Sequence, residues 1–200
     1  MRYLPLAALA LLLGSPIGSP ARAEVVARAD NGFTVRHVAE VTAAPEDAWN
    51  ALITPADWWN PEHSFSGDAK NLSITPRPGG CFCEVLPGEE GAKAPRGGVE
   101  HMRVVFVEQN KALRMVGGLG PLQSEAVQGV MTITLKPLDG GGTRLTWEYV
   151  VAGYMRYKSE QIAPAVDKVI GEQLTRLAEK LGTKAPEGEL QPEAGMESGR

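Results

Sequence analysis

Phe33, Val35, His37, Ala39 and Val41 alternate with Thr34, Arg36, Val38 and Glu40, the period of a half-buried strand carrying one histidine on its apolar face. Further strand-like runs follow at residues 71–75, 80–86, 99–107, 112–116, 127–135 and 144–151,. Arg77-Pro78-Gly79-Gly80 and Asp139-Gly140-Gly141-Gly142 are turn signals, and residues 86–98 form a longer hairpin loop containing Gly and Pro,. Such short connections fit antiparallel neighbours, because parallel strands need helical crossovers. The pattern changes after the first strand. Pro45 suits a first helical position with Glu46 and Asp47 in the first turn, and Thr54-Pro55-Ala56-Asp57 reads as the N-cap and start of a second short helix ended by Trp58, Trp59 and Pro61,. Near the other end Ile162, Val166, Val169, Ile170, Leu174, Leu177 and Leu181 recur at helical spacing. They predict a long helix over 163–181, with Val166, Ile170, Leu174 and Leu177 turned toward a sheet.

One long amphipathic helix therefore has to cover one antiparallel sheet of six or seven strands. A helix offers only a strip of apolar surface, so a broad sheet must curl around it, and a curled sheet gripping a helix encloses a pocket. The expected class is α+β, with two short helices after the first strand. Gly171 costs about 1 kcal/mol against alanine in mid-helix, which points to space reserved for the cavity or for the sheet. The glycine-rich run 117–122 lacks the Lys-Ser/Thr and the βαβ setting of a phosphate loop,.

Composition changes this picture at the ends. Arg2, the apolar stretch Leu4 to Leu13 and the small-x-small site Ala21-Arg22-Ala23 read as a cleaved signal peptide over residues 1–23, with the mature chain starting at Glu24 and a periplasmic or secreted destination. The apolar stretch is shorter than the roughly 20 residues of a membrane span, so no stable membrane anchor is expected. From residue 183 the chain fills with Pro, Gly and Glu, the composition of a disordered tail, leaving residues 24–182 as one domain. Cleavage removes two of the 20 basic residues and none of the 24 acidic ones, for a net charge of about −6. An acidic surface without a basic cluster argues against nucleic acid as a partner.

Candidate chemistry is sparse. Cys81 and Cys83 share a face of one strand and are expected to be largely buried. Export favours a disulfide, but residues two apart on a regular strand lie roughly 6.5–7 Å apart, so a bridge needs a local kink. Buried free thiols, or metal and redox chemistry recruiting His101 across the hairpin, are the alternatives. The spacing matches no standard zinc motif, and neither a metal nor another cofactor is expected. Glu84 and Glu100 flank the same region and would act as acid and base if they face inward, although strand carboxylates are usually solvated. His37 and Gln173 each interrupt an apolar face, so each is either a satisfied buried group or the anchor for a ligand's polar end. Trp58 and Trp59 are placed at the pocket mouth, and Trp147 and Tyr149 on one face of the last strand, as core or cavity wall.

Ala44-Pro45-Glu46-Asp47-Ala48-Trp49, Trp58-Trp59, Pro78-Gly79-Gly80-Cys81-Phe82-Cys83-Glu84, Gly142-Thr143-Arg144-Leu145-Thr146 and the helix from Ala163 together resemble the SRPBCC superfamily. That is the helix-grip fold of START and Bet v 1 proteins and of the polyketide cyclase/dehydrase group, and the resemblance covers residues 33–181. It implies the helix-grip architecture and a range of activities: carriers, cyclases, ring-hydroxylase subunits and chaperone activators. No catalytic motif carries over residue by residue, and fold does not settle function. The expected role is an exported carrier or sensor of an apolar small molecule or lipid, with a cyclase- or aromatase-type enzyme as the alternative. Its candidate cavity residues are His37, Trp58, Trp59, Cys81, Cys83, His101, Trp147, Tyr149 and Gln173.

Overall fold

Eight strands build a single antiparallel sheet in the computed structural model, which describes residues 24–89 and 94–184. They are β1 (Glu24–Ala29), β2 (Gly32–Val41), β3 (Leu72–Ile74), β4 (Cys81–Leu86), β5 (Gly97–Glu108), β6 (Ala112–Val116), β7 (Ala126–Pro137) and β8 (Thr143–Tyr154), and they lie in the order β1-β2-β8-β7-β6-β5-β4-β3. α1 (Pro45–Leu52) and a series of single 3-10 turns follow β2, and α2 (Ser159–Lys180) packs on β2 and β1. This is the expected α+β helix-grip class, with the sheet wider than expected. The added strand is Glu24–Ala29, which pairs with β2 in the register Val25↔Val35 and Arg28↔Phe33. The signal peptide expected at 1–23 and most of the expected tail, 185–200, lie outside the described residues. Thr183 and Lys184, assigned to the tail by composition, still meet the end of β2 through a Val41↔Thr183 bridge and a bond from Lys184 N to Glu40 O.

The period-2 alternation places Phe33, Val35, His37 and Val41 of β2, Leu145, Trp147, Tyr149 and Val151 of β8, and Met131, Ile133 and Leu135 of β7 on one buried face,. The opposite face carries ion pairs such as Arg36–Glu148 and Arg144–Glu40. The ladder slips at three places, between Val25 and Ala27, Phe82 and Cys83, and Val104 and Phe106. Each is a bulge, which bends the strand and sharpens its twist. A sheet bent this way wraps toward the helix instead of lying flat beneath it.

The second expected helix is no more than one 3-10 turn, Pro55–Asp57, and Thr54 does not cap it: its hydroxyl donates back to Asn50 O at 2.9 Å. By contrast α2 is longer than expected, beginning at Ser159 although Pro164 lies within it. Pro164 falls on the exposed side of the second turn, where the carbonyl it leaves without a helical donor meets solvent.

Gly171 explains how α2 seats on the sheet. A Cβ at this position would lie 2.6 Å from Cε1 of His37, so the missing side chain makes room for the imidazole rising from β2. His37 is buried, and its Nε2 lies 2.8 Å from Asp167 Oδ1 on the same helix, out of line for a hydrogen bond. The space reserved by the glycine therefore belongs to the sheet, and it sets the depth at which the helix docks.

Candidate functional site

Only one face of the N-terminal half of α2 rests on the sheet, where Asp167 lies beside His37. On its other face Ile162, Val166, Val169 and Ile170 roof a cavity of about 720 Å³, within the roughly 300–1,000 Å³ of small-molecule sites. One wall is the segment Trp59 to Phe65, the second is the segment Leu119 to Ser124, and His101 of β5 forms part of the interior. A small apolar void of about 20 Å³ continues inward behind Trp59, Leu119 and Ile170, among Phe82, Met102 and Trp147.

Each wall is fixed by polar anchors, of which Gln173, Tyr149 and Glu125 are buried. Gln173 Oε1 accepts from Asn60 N at 2.8 Å, Arg176 Nε donates to Trp58 O at 2.7 Å, and Glu172 meets both Asn60 Nδ2 and His63 Nε2. These bonds clamp the C-terminal half of α2 to the loop that presents Trp59, His63 and Phe65. Opposite, Tyr149 is wholly buried; its hydroxyl donates to Gly117 O at 2.9 Å and accepts from Leu119 N at 3.1 Å. Burial drives the phenol's pKa far up, so it stays a donor,. Gly129 leaves space for that ring: a Cβ there would lie 2.3 Å from the tyrosine oxygen. The Leu119 to Ser124 wall is tied at its end by Glu125, whose carboxylate accepts from Arg156 N at 2.6 Å and from Arg156 Nε at 2.8 Å. Those bonds hold the Glu125 pKa below its ordinary value.

The polar centre of the cavity is a pair that the alternation pattern hides. Phe82 of β4 pairs with Met102 of β5, yet Cys83 pairs with Glu100, so His101 is the extra residue of a bulge. Because of that bulge, His101 and Met102 both turn inward, although consecutive residues of a regular strand face opposite ways,. Gly117 lets the neighbouring strand pass this distortion, since a Cβ there would lie 2.4 Å from His101 O. Inside, His101 Nε2 lies 2.9 Å from Glu84 Oε2, and both residues are buried. The carboxylate also accepts from Phe65 N at 3.0 Å and from Ser66 N. Burial alone would raise the Glu84 pKa, but donors from Ser66, Phe65 and His101 outweigh it and hold the value below 4.5,. Burial pushes His101 below its ordinary 6.5, against the opposing pull of Glu84. The pair is thus a carboxylate and a neutral imidazole. Phe82 stacks near the ring at 4.9 Å and Phe65 at 5.8 Å, between centroids.

Of the sequence candidates, Trp59 and His101 line the cavity. Trp58 and Trp59 are both buried rather than at a mouth: Trp58 Nε1 donates to Ala51 O and its ring packs edge-on to Trp147, while Trp59 Nε1 donates to His63 O. His37 packs into the space at Gly171 of α2 and Gln173 bonds the loop, so they hold the walls and are not in the lining. Trp147 borders only the inner void, and Tyr149 acts through the loop it pins. Cys81 and Cys83 form a disulfide with Cα atoms 5.4 Å apart, closer than a regular strand allows, opposite the bulge of β5. They are half-buried rather than largely buried, on the face opposite Phe82 and Glu84, away from the cavity and from His101. Glu100 is exposed and paired with Arg103, whereas Glu84 faces inward. Glu62, His63, Phe65 and the Leu119 to Ser124 wall were missed, because they sit on aperiodic loops.

A family described as polyketide cyclase / dehydrase and lipid transport matches residues 32–182. No curated protein matches the chain. Among solved structures, a protein from Mesorhizobium loti is similar at 22% identity, over 73% of this chain and 94% of that one, with a TM-score of 0.50. An uncharacterized protein from Rhizobium leguminosarum is similar at 17% identity, over 82% and 98%, with a TM-score of 0.51. A conserved protein of unknown function from Enterococcus faecalis is similar at 14%, over 85% and 82%, also with a TM-score of 0.51. At such identities these structures share the fold and nothing more. The matched span runs from the start of β2 to the residues just past α2, and the chain belongs to the polyketide cyclase / dehydrase and lipid transport family of the SRPBCC superfamily.

Proposed function

We propose that the protein is an exported carrier or sensor that holds an apolar small molecule or lipid between its sheet and α2. The observation carrying this reading is the cavity of about 720 Å³, roofed by Ile162, Val166, Val169 and Ile170 and containing few polar groups,. Its walls are clamped from behind by Gln173, Arg176, Tyr149 and Glu125. Binding then does not have to order them, which lowers its entropic cost. Export rests on the N-terminal leader pattern. No described helix is long and apolar enough to cross a membrane.

Native mass spectrometry of protein recovered from the periplasm or medium tests both parts. The expected species starts at Glu24 and retains an apolar molecule that organic extraction removes. A cytoplasmic species keeping residues 1–23 would overturn export, and protein that neither retains nor takes up any hydrophobic probe would overturn the carrier role.

The His101–Glu84 pair favours a second reading, a cyclase- or aromatase-type enzyme in which the imidazole moves a proton on a cavity-bound substrate,. Under the carrier reading a bound ligand is recovered chemically unchanged; under the second it is not.

A further inference from the structure

Resting on the carrier reading, we infer that the ligand is a neutral amphiphile with a hydroxyl group, phenol or alcohol, which donates a hydrogen bond to Nδ1 of His101. Nε2 of this ring faces an ionised carboxylate that also accepts two backbone N–H groups. A carboxylate only accepts, so Nε2 carries the proton and Nδ1 of the neutral ring is a bare acceptor. Among the described residues Nδ1 has no protein partner. Yet it is not one of the sealed, unpartnered polar atoms, as His37 Nε2 and Gln173 Nε2 are. His101 is only 5% exposed and lines the cavity, so the access of Nδ1 is through the cavity.

Apart from Glu62, which is exposed to solvent, the other polar side chains of the lining are engaged elsewhere. Ser64 and Ser124 donate their hydroxyls to Pro61 O and Pro121 O, and Gln123 donates its amide to Glu100 O. His63 repeats the imidazole–carboxylate arrangement with Glu172 at a half-exposed position, where water can serve its second nitrogen. Charge selects in the same direction. Among the described residues the lining includes Glu62 but neither lysine nor arginine. A fatty-acid carboxylate or lipid phosphate pushed against Nδ1 would meet a lone pair, with Glu84 behind it and no cation to compensate; burying such an unpaired charge is strongly unfavourable. An alkane leaves Nδ1 dry and unpaired on loading, also at a cost. A neutral donor satisfies the site.

The test is displacement of a hydrophobic fluorescent probe from the full mature protein at neutral pH by three molecules of equal alkyl length: a para-alkylphenol, the alkylbenzene and the para-alkylbenzoate. The phenol should bind about fivefold to tenfold more tightly than the alkylbenzene, as one net hydrogen bond provides, and the benzoate should bind weakest. His101→Phe should abolish the phenol's advantage while the alkylbenzene still binds. Should that variant fail to fold, nitrogen NMR of the wild-type imidazole gives an independent reading: the Nδ1 resonance should move on adding phenol and stay in place on adding alkylbenzene. Equal affinities, a preference for the benzoate or an unmoved Nδ1 would overturn the head-group assignment while leaving the carrier reading intact. If none of the three displaces the probe, or no probe binds, the carrier reading falls and this inference falls with it.

Discussion

Gly171→Ala places a methyl group where His37 already sits. The added Cβ would lie 2.6 Å from Cε1 and 3.0 Å from Nδ1 of the ring, and real contacts of this kind do not persist below about 3 Å. His37 has little freedom to retreat, being buried between β2 and α2 with Asp167 beside it. Overpacking of this kind costs about 1–3 kcal/mol, while the helix gains about 1 kcal/mol when glycine becomes alanine. The net effect is a loss of up to about 2 kcal/mol, and at about 2–4 °C per kcal/mol for a chain of this size the Tm should fall by up to about 8 °C. Removing the obstacle reverses the sign. In a His37→Ala background the same substitution should raise the Tm by up to about 4 °C, since only helix propensity remains. A thermal double-mutant cycle measures the coupling, expected at about 1–3 kcal/mol. An identical Tm shift in both backgrounds would refute the interlock between helix and sheet.

Three further outcomes follow from the site and its surroundings. Glu84→Ala leaves Phe65 N, Ser66 N and His101 without their acceptor and should cost about 3 kcal/mol, lowering the Tm by about 6–12 °C, with Glu84→Gln losing less; an unchanged Tm would show that the pair is solvated. Below pH about 6.5 the unfolded chain protonates His101 while the depressed folded value resists, so stability should start to fall there, by up to about 1.4 kcal/mol per pH unit per proton,. It should fall further below 4.5 as the unfolded chain, but not yet the folded one, protonates Glu84; His101→Phe should flatten the first descent, and a persistent descent would assign it to another group. Thiol counting on unreduced, denatured protein should find no free thiol, and Cys81→Ser with Cys83→Ser should cost less than about 2 kcal/mol, because a bridge between residues two apart closes a very short loop,. A free thiol per chain would contradict the bridge.

How far the sequence reached depended on periodicity. The spacing of Val166, Ile170, Leu174 and Leu177, and the alternation from Phe33 to Val41, report burial on one face and were legible as the helix and the strand they form. Glu24–Ala29 was not, as its six residues show little alternation, and the first turn of α2, from Ser159, lies ahead of the apolar repeat that marked the helix. The site was legible only in part. His101 lines it through a bulge, which inverts the facing that a regular strand implies, and Glu84 looked like a solvated carboxylate because its partners are amides of the Phe65–Ser66 loop. His37 and Gln173 stood out as polar residues on apolar faces. That anomaly was real, but it marked the joints holding α2 and not the ligand.

The central claim is that the space beneath the N-terminal half of α2 is a ligand cavity. Val169 lines it and is half-buried, so Val169→Trp should fill the space with an indole while leaving the helix joints at His37 and Gln173 intact. Titration of a hydrophobic fluorescent probe into wild type and variant, with Tm measured on the same samples, is the most direct measurement. The account predicts saturable one-to-one binding by wild type and at least a tenfold loss in the variant, about 1.4 kcal/mol, with a Tm within a few degrees. No saturable binding by wild type, or equal binding by the filled variant, would contradict it.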